Sequence, residues 1–185
     1  MDDLISGDDE RAEQAVPRLA ACGDDAVNML LSLLETDNPD HRWWATRALA
    51  ACPQPAAQRG LCQSLEDRRD SAVRYCAATA LRHQPCIEAL PLLIDALQED
   101  DRLLARLAAD ALISLGQDAI PALVEASQSE QPAVRIEAVR ALAKMRHPQT
   151  IPALFQAAED SSSIVVHWAE QGLDDLGVGM IFFEP

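Results

Sequence analysis

Aromatic and basic residues are both scarce in this chain. Aromatic residues make up 4% of its 185 residues, so a core must be built mainly from alanine, leucine and other aliphatic side chains. The chain has fifteen Lys and Arg residues and thirty Asp and Glu residues, which gives a net charge of -15. This balance argues against nucleic acid as a partner, because phosphate contacts require clustered basic residues. It argues equally against an anionic membrane surface.

Long apolar runs and a secretory leader are absent as well. We see no run that approaches the length of a membrane helix, and the acidic segment 1–10 lacks the basic and apolar regions of a signal peptide. The five cysteines are odd in number, and they do not form paired C-x-x-C groups at zinc spacing. We therefore expect free, mostly buried thiols and a cytoplasmic protein.

Catalytic signatures are missing too. The sequence has no H-E-x-x-H, no glycine-rich phosphate loop and no G-x-S-x-G. We therefore predict no catalytic residues, no metal site and no cofactor, and a protein that is more plausibly a binding module than an enzyme.

A nine-residue motif recurs along the chain. Its best copy is Val134–Leu142, with the sequence V-R-I-E-A-V-R-A-L. Further copies are His41–Leu49, Val73–Leu81, Leu104–Leu112 and Val165–Leu173, with a degraded copy at Arg11–Leu19. The closing leucines follow one another at steps of 30, 32, 31, 30 and 31 residues. A period this regular indicates a repeat array.

Apolar residues fall at the first, fourth, fifth, eighth and ninth motif positions, which form one face of an α-helix. We call this face the apolar stripe. The alternation of motif and intervening segments predicts helices at 9–21, 25–35, 40–52, 56–66, 70–83, 86–98, 101–115, 118–128, 132–146, 149–158 and 162–176. Two-helix units of this size must stack to bury their apolar faces. We predict an all-α fold of five two-helix repeats after a leading half-repeat. Residues 1–8 form a frayed lead-in, 9–176 the repeat domain, and 177–185 an apolar tail.

The motif and its surroundings resemble HEAT repeats, in particular the short type found in phycobilisome lyase subunits. The resemblance rests on V-R-x-x-A-x-x-A-L, on a preceding turn that carries Asp, and on I-P-x-L segments at Ile120–Leu123 and Ile151–Leu154, with a variant at Leu90–Leu93. It implies a right-handed α-α superhelix with the I-P-x-L helices on the convex side and the motif helices on the concave side. HEAT arrays serve many roles, so the resemblance is specific for fold only.

The second motif position carries an arginine in Arg42, Arg74 and Arg135. We interpret these arginines as structural, bonded to turn carboxylates and repeat ends. The alternative is that they add to an arginine-bearing groove that attracts an acidic segment of a partner.

The third motif position points away from the apolar stripe, and its residues are candidates for partner binding. Trp and Tyr at exposed positions are typical of binding hot spots. With two arginines at the seventh position, the candidate concave surface is Trp43, Arg47, Tyr75, Arg106, Ile136, Arg140 and His167. The alternative is that Trp43 and Tyr75 pack at repeat junctions. Trp44 and Trp168 lie on the apolar stripe, which predicts that they are core.

The C-terminal tail contains a run of large apolar residues after two glycines. Gly177 and Gly179 suit a helix end and a chain reversal. The run is either a cap over the last repeat or a docking tail formed by Met180, Ile181, Phe182 and Phe183.

Two functions follow as hypotheses. The first is a non-catalytic scaffold that binds a protein partner, expected to offer an acidic segment, through the concave face. The second, implied by the resemblance, is a subunit or chaperone of a bilin lyase that acts on phycobiliproteins together with a paired HEAT subunit. In that case Arg47, Arg106 or Arg140 would meet bilin propionates, and Trp43 and Tyr75 would stack on the tetrapyrrole.

Overall fold

The computed structural model describes residues 1–178, and eleven α-helices lie within them. They are α1 Asp9–Ala20, α2 Asp24–Leu34, α3 Pro39–Leu49, α4 Pro55–Leu65, α5 Ser71–His83, α6 Leu90–Leu97, α7 Arg102–Leu115, α8 Ile120–Ala126, α9 Pro132–Met145, α10 Ile151–Ala157 and α11 Ser163–Asp175. Every predicted helix is present, with ends shifted by a few residues. Three of them begin with a short 3₁₀ turn. The chain divides into two compact units, Met1–Leu92 and Leu93–Pro185.

The first unit has two layers of helices. Those that carry the nine-residue motif, which we call the motif helices, are α1, α3 and α5, and each packs on the next. The second layer contains α2 and α4, which pack on each other and on α3 and α5. Between the layers lie the fully buried side chains of Leu30, Leu49 and Leu61. The small side chains of Ala45 and Ala48 are also fully buried, which lets neighbouring helices approach closely.

The second unit repeats this plan. Its motif helices α7, α9 and α11 pack side by side, while α8 and α10 cover α9 and α11. Leu104, Leu112, Leu123, Leu142 and Leu154 form its core and are fully buried. With α1 as a half-repeat, α2 to α11 form five successive pairs. The all-α class of HEAT-like repeats is therefore confirmed.

Side-chain caps fix where several motif helices begin. Asn38, Asp70 and Asp101 each accept a hydrogen bond from a backbone N–H in the first turn of the helix that follows. Pro39 and Pro132 occupy the first helical position of α3 and α9, where the missing N–H of proline has no consequence. These capped turns thus fix the residue at which each of these motif helices begins.

The end of α11 matches the predicted helix cap. Gly177 has a left-handed backbone with φ of 71°, and the N–H of Val178 donates to the carbonyl oxygen of Leu173 at 3.0 Å. The proposed docking tail, Met180, Ile181, Phe182 and Phe183, lies outside the described residues.

The lead-in at residues 1–8 is not frayed, contrary to expectation. Leu4 is fully buried. The carboxylate of Asp3 accepts hydrogen bonds from Arg11 at 2.6 Å and from Arg18 at 3.0 Å, both on α1. Burial of one leucine and these two ion pairs hold the segment against the first helix.

One stretch reaches the length and composition of a membrane span, contrary to the expectation that no run does so. It is Arg102–Ala126, within which an 18-residue window has a mean hydropathy of 1.3. In the structure this stretch is α7 and α8, separated by a 3₁₀ turn that begins at Gly116 with φ of 66°. Leu104, Leu112 and Leu123 from these two helices are fully buried in the second unit. The apolar composition is therefore explained by the core of a repeat.

Candidate protein-interaction surface

The arginine at the second motif position of α3 ties two turns of the first unit together. Nε of Arg42 donates to Asp67 at 2.6 Å, and Nη1 donates to the carbonyl oxygens of Thr36 and Asp37 at 3.0 and 2.9 Å. The side chains of Arg42 and Asp67 are 3% and 5% exposed. Burial opposes ionisation of Asp67, but hydrogen bonds from Arg69 and Arg42 hold its pKa below the usual value.

The same arrangement recurs in the second unit. Nε of Arg135 donates to Asp160 at 2.7 Å, and Nη1 donates to the carbonyl oxygens of Ser129 and Glu130 at 3.0 and 3.1 Å. The hydrogen bonds from Arg135 lower the pKa of Asp160. In both units the carboxylate lies 25 residues after the arginine. We call each arrangement a clasp; the two clasps confirm the structural interpretation of Arg42 and Arg135.

A second ionic network joins α7 and α9. Nε of Arg140 donates to Glu137 at 2.7 Å, and Nη1 donates to Asp110 at 2.7 Å. Arg106 also donates to Glu137, at 3.1 Å. The Arg140 side chain is 0% exposed. Arg140 therefore cannot reach a partner, and its placement on the partner-binding surface is corrected, because Asp110 and Glu137 draw it between the helices.

Two other candidate arginines are accessible but matched by carboxylates. Nη2 of Arg47 lies 2.5 Å from Oε1 of Glu13 on α1, and these side chains are 38% and 52% exposed. Arg106 is 44% exposed beside Glu137. An acidic ligand at either arginine would have to displace a carboxylate of this chain.

The residues at the third motif position lie on neighbouring motif helices within each unit. Trp43 and Tyr75, on α3 and α5, are half-buried. On α7, α9 and α11, Arg106 and His167 are exposed and Ile136 is half-buried. In both units most residues of the apolar stripe are buried, whereas the third-position side chains remain accessible.

Trp43 and Trp44 form an aromatic pair at one end of the motif layer in the first unit. Their ring centroids are 4.8 Å apart and the rings are nearly perpendicular, at 89°. Trp44 was predicted as core, yet it is half-buried. The pair lines an open cleft of about 400 Å³, which we call the aromatic cleft; its other lining residues are Asp9, Pro39, Asp40, Asp70 and Ala72.

The cysteines have the features of structural residues. All five are free, and Cys22 is the exposed one. Burial raises the pKa of Cys62 to about 12 and that of Cys76 to about 11. Thiols with such values are protonated at neutral pH and are poor nucleophiles. Within residues 1–178, no three His, Cys, Asp or Glu side chains come together in a way that could hold a metal ion.

Sequence reasoning missed two features of this surface. Glu137 occupies the fourth motif position, which is apolar in the four other well-matched copies, and it lies three residues before Arg140. A charged residue on the stripe beside an opposite charge at helical spacing was the available signal for the buried network. The second feature is the set of carboxylates Asp9, Asp40 and Asp70 at the starts of α1, α3 and α5, which converge on the aromatic cleft.

Comparisons with known proteins agree with this architecture. The family model for HEAT repeats matches residues 4–82 and 90–174. The bilin biosynthesis protein RpcF of Synechococcus sp. (strain WH8020) is 36% identical over 93 residues. That match covers 50% of this chain and 44% of the relative, so the chain spans less than half of the relative's length.

Two solved structures share the fold over nearly the whole chain. The complex of CpcE and CpcF of phycocyanin lyase from Nostoc sp. PCC7120 is 25% identical, with a TM-score of 0.54, and the match covers 95% of this chain and 74% of that one. An engineered protein is also 25% identical, with a TM-score of 0.55 and coverage of 96% and 95%. From its repeats, its helix pairing and the family match, the chain belongs to the HEAT repeat family.

Proposed function

We propose that this protein is a non-catalytic HEAT-repeat subunit that holds a protein partner on its motif helices. The observation that carries the proposal is the accessibility of the third motif positions, while most positions of the apolar stripe beside them are buried. Two of these accessible residues, Trp43 and Tyr75, are aromatic in a chain with 4% aromatic residues. Tyrosine and tryptophan supply much of the binding energy at protein interfaces.

The chemistry of the described residues supports binding rather than catalysis. The high pKa values of Cys62 and Cys76 keep these thiols protonated. The arginines nearest to the proposed surface, Arg47 and Arg106, are occupied by Glu13 and Glu137. The Cys86 thiol donates to the carboxylate of Glu88 at 3.0 Å, but burial raises the pKa of Cys86, which disfavours the thiolate.

The same ion pairs bear on the chemistry of the partner. An acidic segment was expected from the arginines of the motif helices. Such a segment must compete with Glu13 and Glu137, which already satisfy Arg47 and Arg106. We therefore propose a protein partner whose bound segment need not be acidic.

Capture of the partner by a tagged chain tests this function. The test variant is Trp43→Ala with His167→Ala, which truncates one accessible third-position residue in each unit. The matched control is Met29→Ala with Phe155→Ala, which truncates exposed side chains, 52% and 45% accessible, on α2 and α10 of the other layer. We expect a discrete partner that the wild type and the control retain and the test variant loses. Equal retention by all three chains contradicts the proposed surface, provided that circular dichroism shows equal helix content.

A second candidate function is favoured by the similarity to the bilin biosynthesis protein. Under this hypothesis the chain is one subunit of a bilin lyase pair, its partner is a second HEAT-repeat subunit, and the pair adds or removes a bilin at a phycobiliprotein cysteine. Arg47 and Arg106 are then the accessible arginines for bilin propionates, whereas Arg140 is buried.

Visible absorption separates the two candidates. The chain is mixed with a bilin, then with a second HEAT-repeat subunit and an apo-phycobiliprotein. A lyase subunit gives a change in the bilin spectrum that weakens in Arg47→Ala with Arg106→Ala, and persists in Arg59→Ala with Arg102→Ala, where both replaced arginines are exposed. An unchanged spectrum in every mixture rejects the lyase function and leaves the binding function in place.

A further inference from the structure

The aromatic cleft combines two indole rings with three carboxylates from three successive motif helices. Asp9 lies in the first turn of α1, Asp40 in the first turn of α3, and Asp70 caps α5. Trp43 and Trp44 supply the aromatic surface, and no basic residue lines the cleft. Asp9 and Asp40 are exposed and form no ion pair with any part of the chain that the structure describes. The cleft is therefore strongly negative and aromatic at once.

Helix dipoles alone do not account for this arrangement. A carboxylate at a helix start is favourable by about 0.3–1 kcal/mol, so each aspartate has a local reason to be there. That effect gives no reason for a half-exposed pair of indoles between them. Each helix start contributes roughly half a positive charge, so three carboxylates outweigh the three helix ends and leave the cleft attractive to a cation.

We propose that the aromatic cleft binds an arginine side chain in a basic segment of the protein partner. This inference rests on the proposed function, because it names the chemistry of the segment that the motif helices hold. A guanidinium group is planar, so it can lie against an indole face while its N–H groups donate to carboxylates. The cleft volume of about 400 Å³ is that of a small-ligand cleft, which suits one side chain.

Charge over the whole molecule supports a basic occupant. The net charge of -15 attracts a cationic segment from a distance, and this attraction weakens as salt is added. A second copy of the chain carries the same net charge and is repelled. The net charge attracts the cationic segment to the molecule as a whole, and the aromatic cleft then supplies the residues that bind its arginine.

The direct test uses an acetylated, amidated tetra-arginine peptide as the probe. The chain has three tryptophans, so its indole N–H groups give three NMR resonances, which single Trp→Phe variants assign. We expect the peptide to shift the resonances of Trp43 and Trp44 and to leave that of Trp168, on α11, in place. A tetra-glutamate peptide should shift none. Uniform small shifts at all three tryptophans, or no shift at Trp43 and Trp44, would overturn the proposal.

A charge-matched pair of variants separates the cleft from general electrostatics. Asp9→Asn with Asp40→Asn removes two carboxylates from the cleft, and Asp24→Asn with Asp25→Asn removes two from the start of α2. Both changes alter the net charge equally and remove the same helix-start interactions. We expect the first to weaken peptide binding about tenfold and the second less than about twofold. Equal weakening by both variants contradicts a defined site.

The partner-capture assay shows whether the cleft or the proposed function has failed. If the chain captures its partner and the Asp9→Asn with Asp40→Asn variant captures it equally well, the function stands and the cleft is not the contact. If the peptide binds at the cleft but no partner is captured by any chain, the cleft binds arginine and the proposed function is wrong. Shifts at Trp43 and Trp44 with tetramethylammonium that match those with the peptide would reject arginine as the specific occupant.

Discussion

The seventh motif position carries arginine in both units, with opposite consequences. In the first unit, Arg47 on α3 lies at the surface beside Glu13, and both side chains are well exposed. In the second unit, Arg140 on α9 is fully buried between Glu137 and Asp110. The residue type and the position on the helix are the same. Two neighbours differ: the fourth position is Trp44 in α3 and Glu137 in α9, and the seventh position of the preceding motif helix is Pro17 in α1 and Asp110 in α7.

This difference shows how one repeat backbone supports two kinds of surface. A tryptophan at the fourth position leaves the arginine outside and opens the aromatic cleft. A glutamate there draws the arginine inward, and the two motif helices are joined by ion pairs instead. Most stripe residues fix the fold in both units, while the fourth position and the charged residues beside the stripe decide whether a surface is closed or remains accessible.

The largest expected effect breaks this comparison directly. We expect Arg140→Ala to lower the free energy of unfolding by about 3–5 kcal/mol, because it leaves a cavity in place of a fully buried side chain and removes the hydrogen bonds of that side chain to Glu137 and Asp110. Arg47→Ala should lower it by less than about 1 kcal/mol, because exposed ion pairs contribute little. Urea unfolding followed by circular dichroism measures both. Similar losses in the two variants would show that burial does not set the contribution of this arginine.

The two clasps give the next comparison. We expect Asp67→Asn to cost about 3 kcal/mol, because it leaves Arg42 charged and buried, and Asp160→Asn about 1–2 kcal/mol, because its partner Arg135 is more exposed. Unfolding in urea at neutral pH measures the difference. An equal or reversed order would contradict the assignment of the tighter clasp to the first unit.

Both clasps also predict a pH dependence. The pKa of each aspartate in the folded protein is below its ordinary value of 3.8. The stabilisation by each carboxylate is therefore complete above pH 3.8 and is lost as the pH falls through the lowered folded value. The difference in free energy of unfolding between wild type and Asp67→Asn, and between wild type and Asp160→Asn, should therefore decrease as the pH falls through this range. A gap that stayed constant down to about pH 2 would exclude the carboxylate charge as its source.

Helix contacts through glycine give a smaller effect. A Cβ at Gly172 of α11 would lie 2.9 Å from the backbone Cα of Ala143, whereas one at Gly60 of α4 would meet the terminal side-chain carbons of Leu31 and Leu49, which can shift more easily than backbone. We expect Gly172→Ala to cost about 1–3 kcal/mol through overpacking. Gly60→Ala should stay within about 1 kcal/mol of wild type, because alanine favours the helix. Thermal unfolding measures the stability of both variants. A greater destabilisation by Gly60→Ala than by Gly172→Ala would contradict close packing of α9 and α11.

The smallest effect concerns the thiols and leaves stability unchanged. All five cysteines lie in the first unit, and Cys22 is the exposed one. At about pH 8 we expect a single fast-reacting thiol with an aromatic disulfide reagent, because burial raises the pKa of the other four. Replacement of Cys22 by serine should abolish the fast phase. A second fast thiol would contradict the burial of the remaining cysteines.

Most of the fold could be predicted from the sequence, because each helix pair repeats a local pattern. The apolar stripe identified every helix, and the motif arginines were correctly interpreted as structural at Arg42 and Arg135. Burial of Arg140 was only partly predictable from its own helix, because it depends on Asp110 as well as on Glu137, and Asp110 lies 30 residues earlier on a neighbouring helix. Trp44 was assigned to the core for the same reason: its position on α3 suggested burial, but the cleft depends on how α1 and α5 begin beside it.

The clasps also explain where this chain can change in length. The second-position residue and the turn carboxylate are 25 residues apart in both clasps. The clasp carboxylates Asp67 and Asp160 lie four and three residues before the next motif helix, and the corresponding leucine steps are 32 and 31. Insertions and deletions are therefore confined to the few residues between carboxylate and helix, which adjust the chain length outside the fixed frame of each repeat.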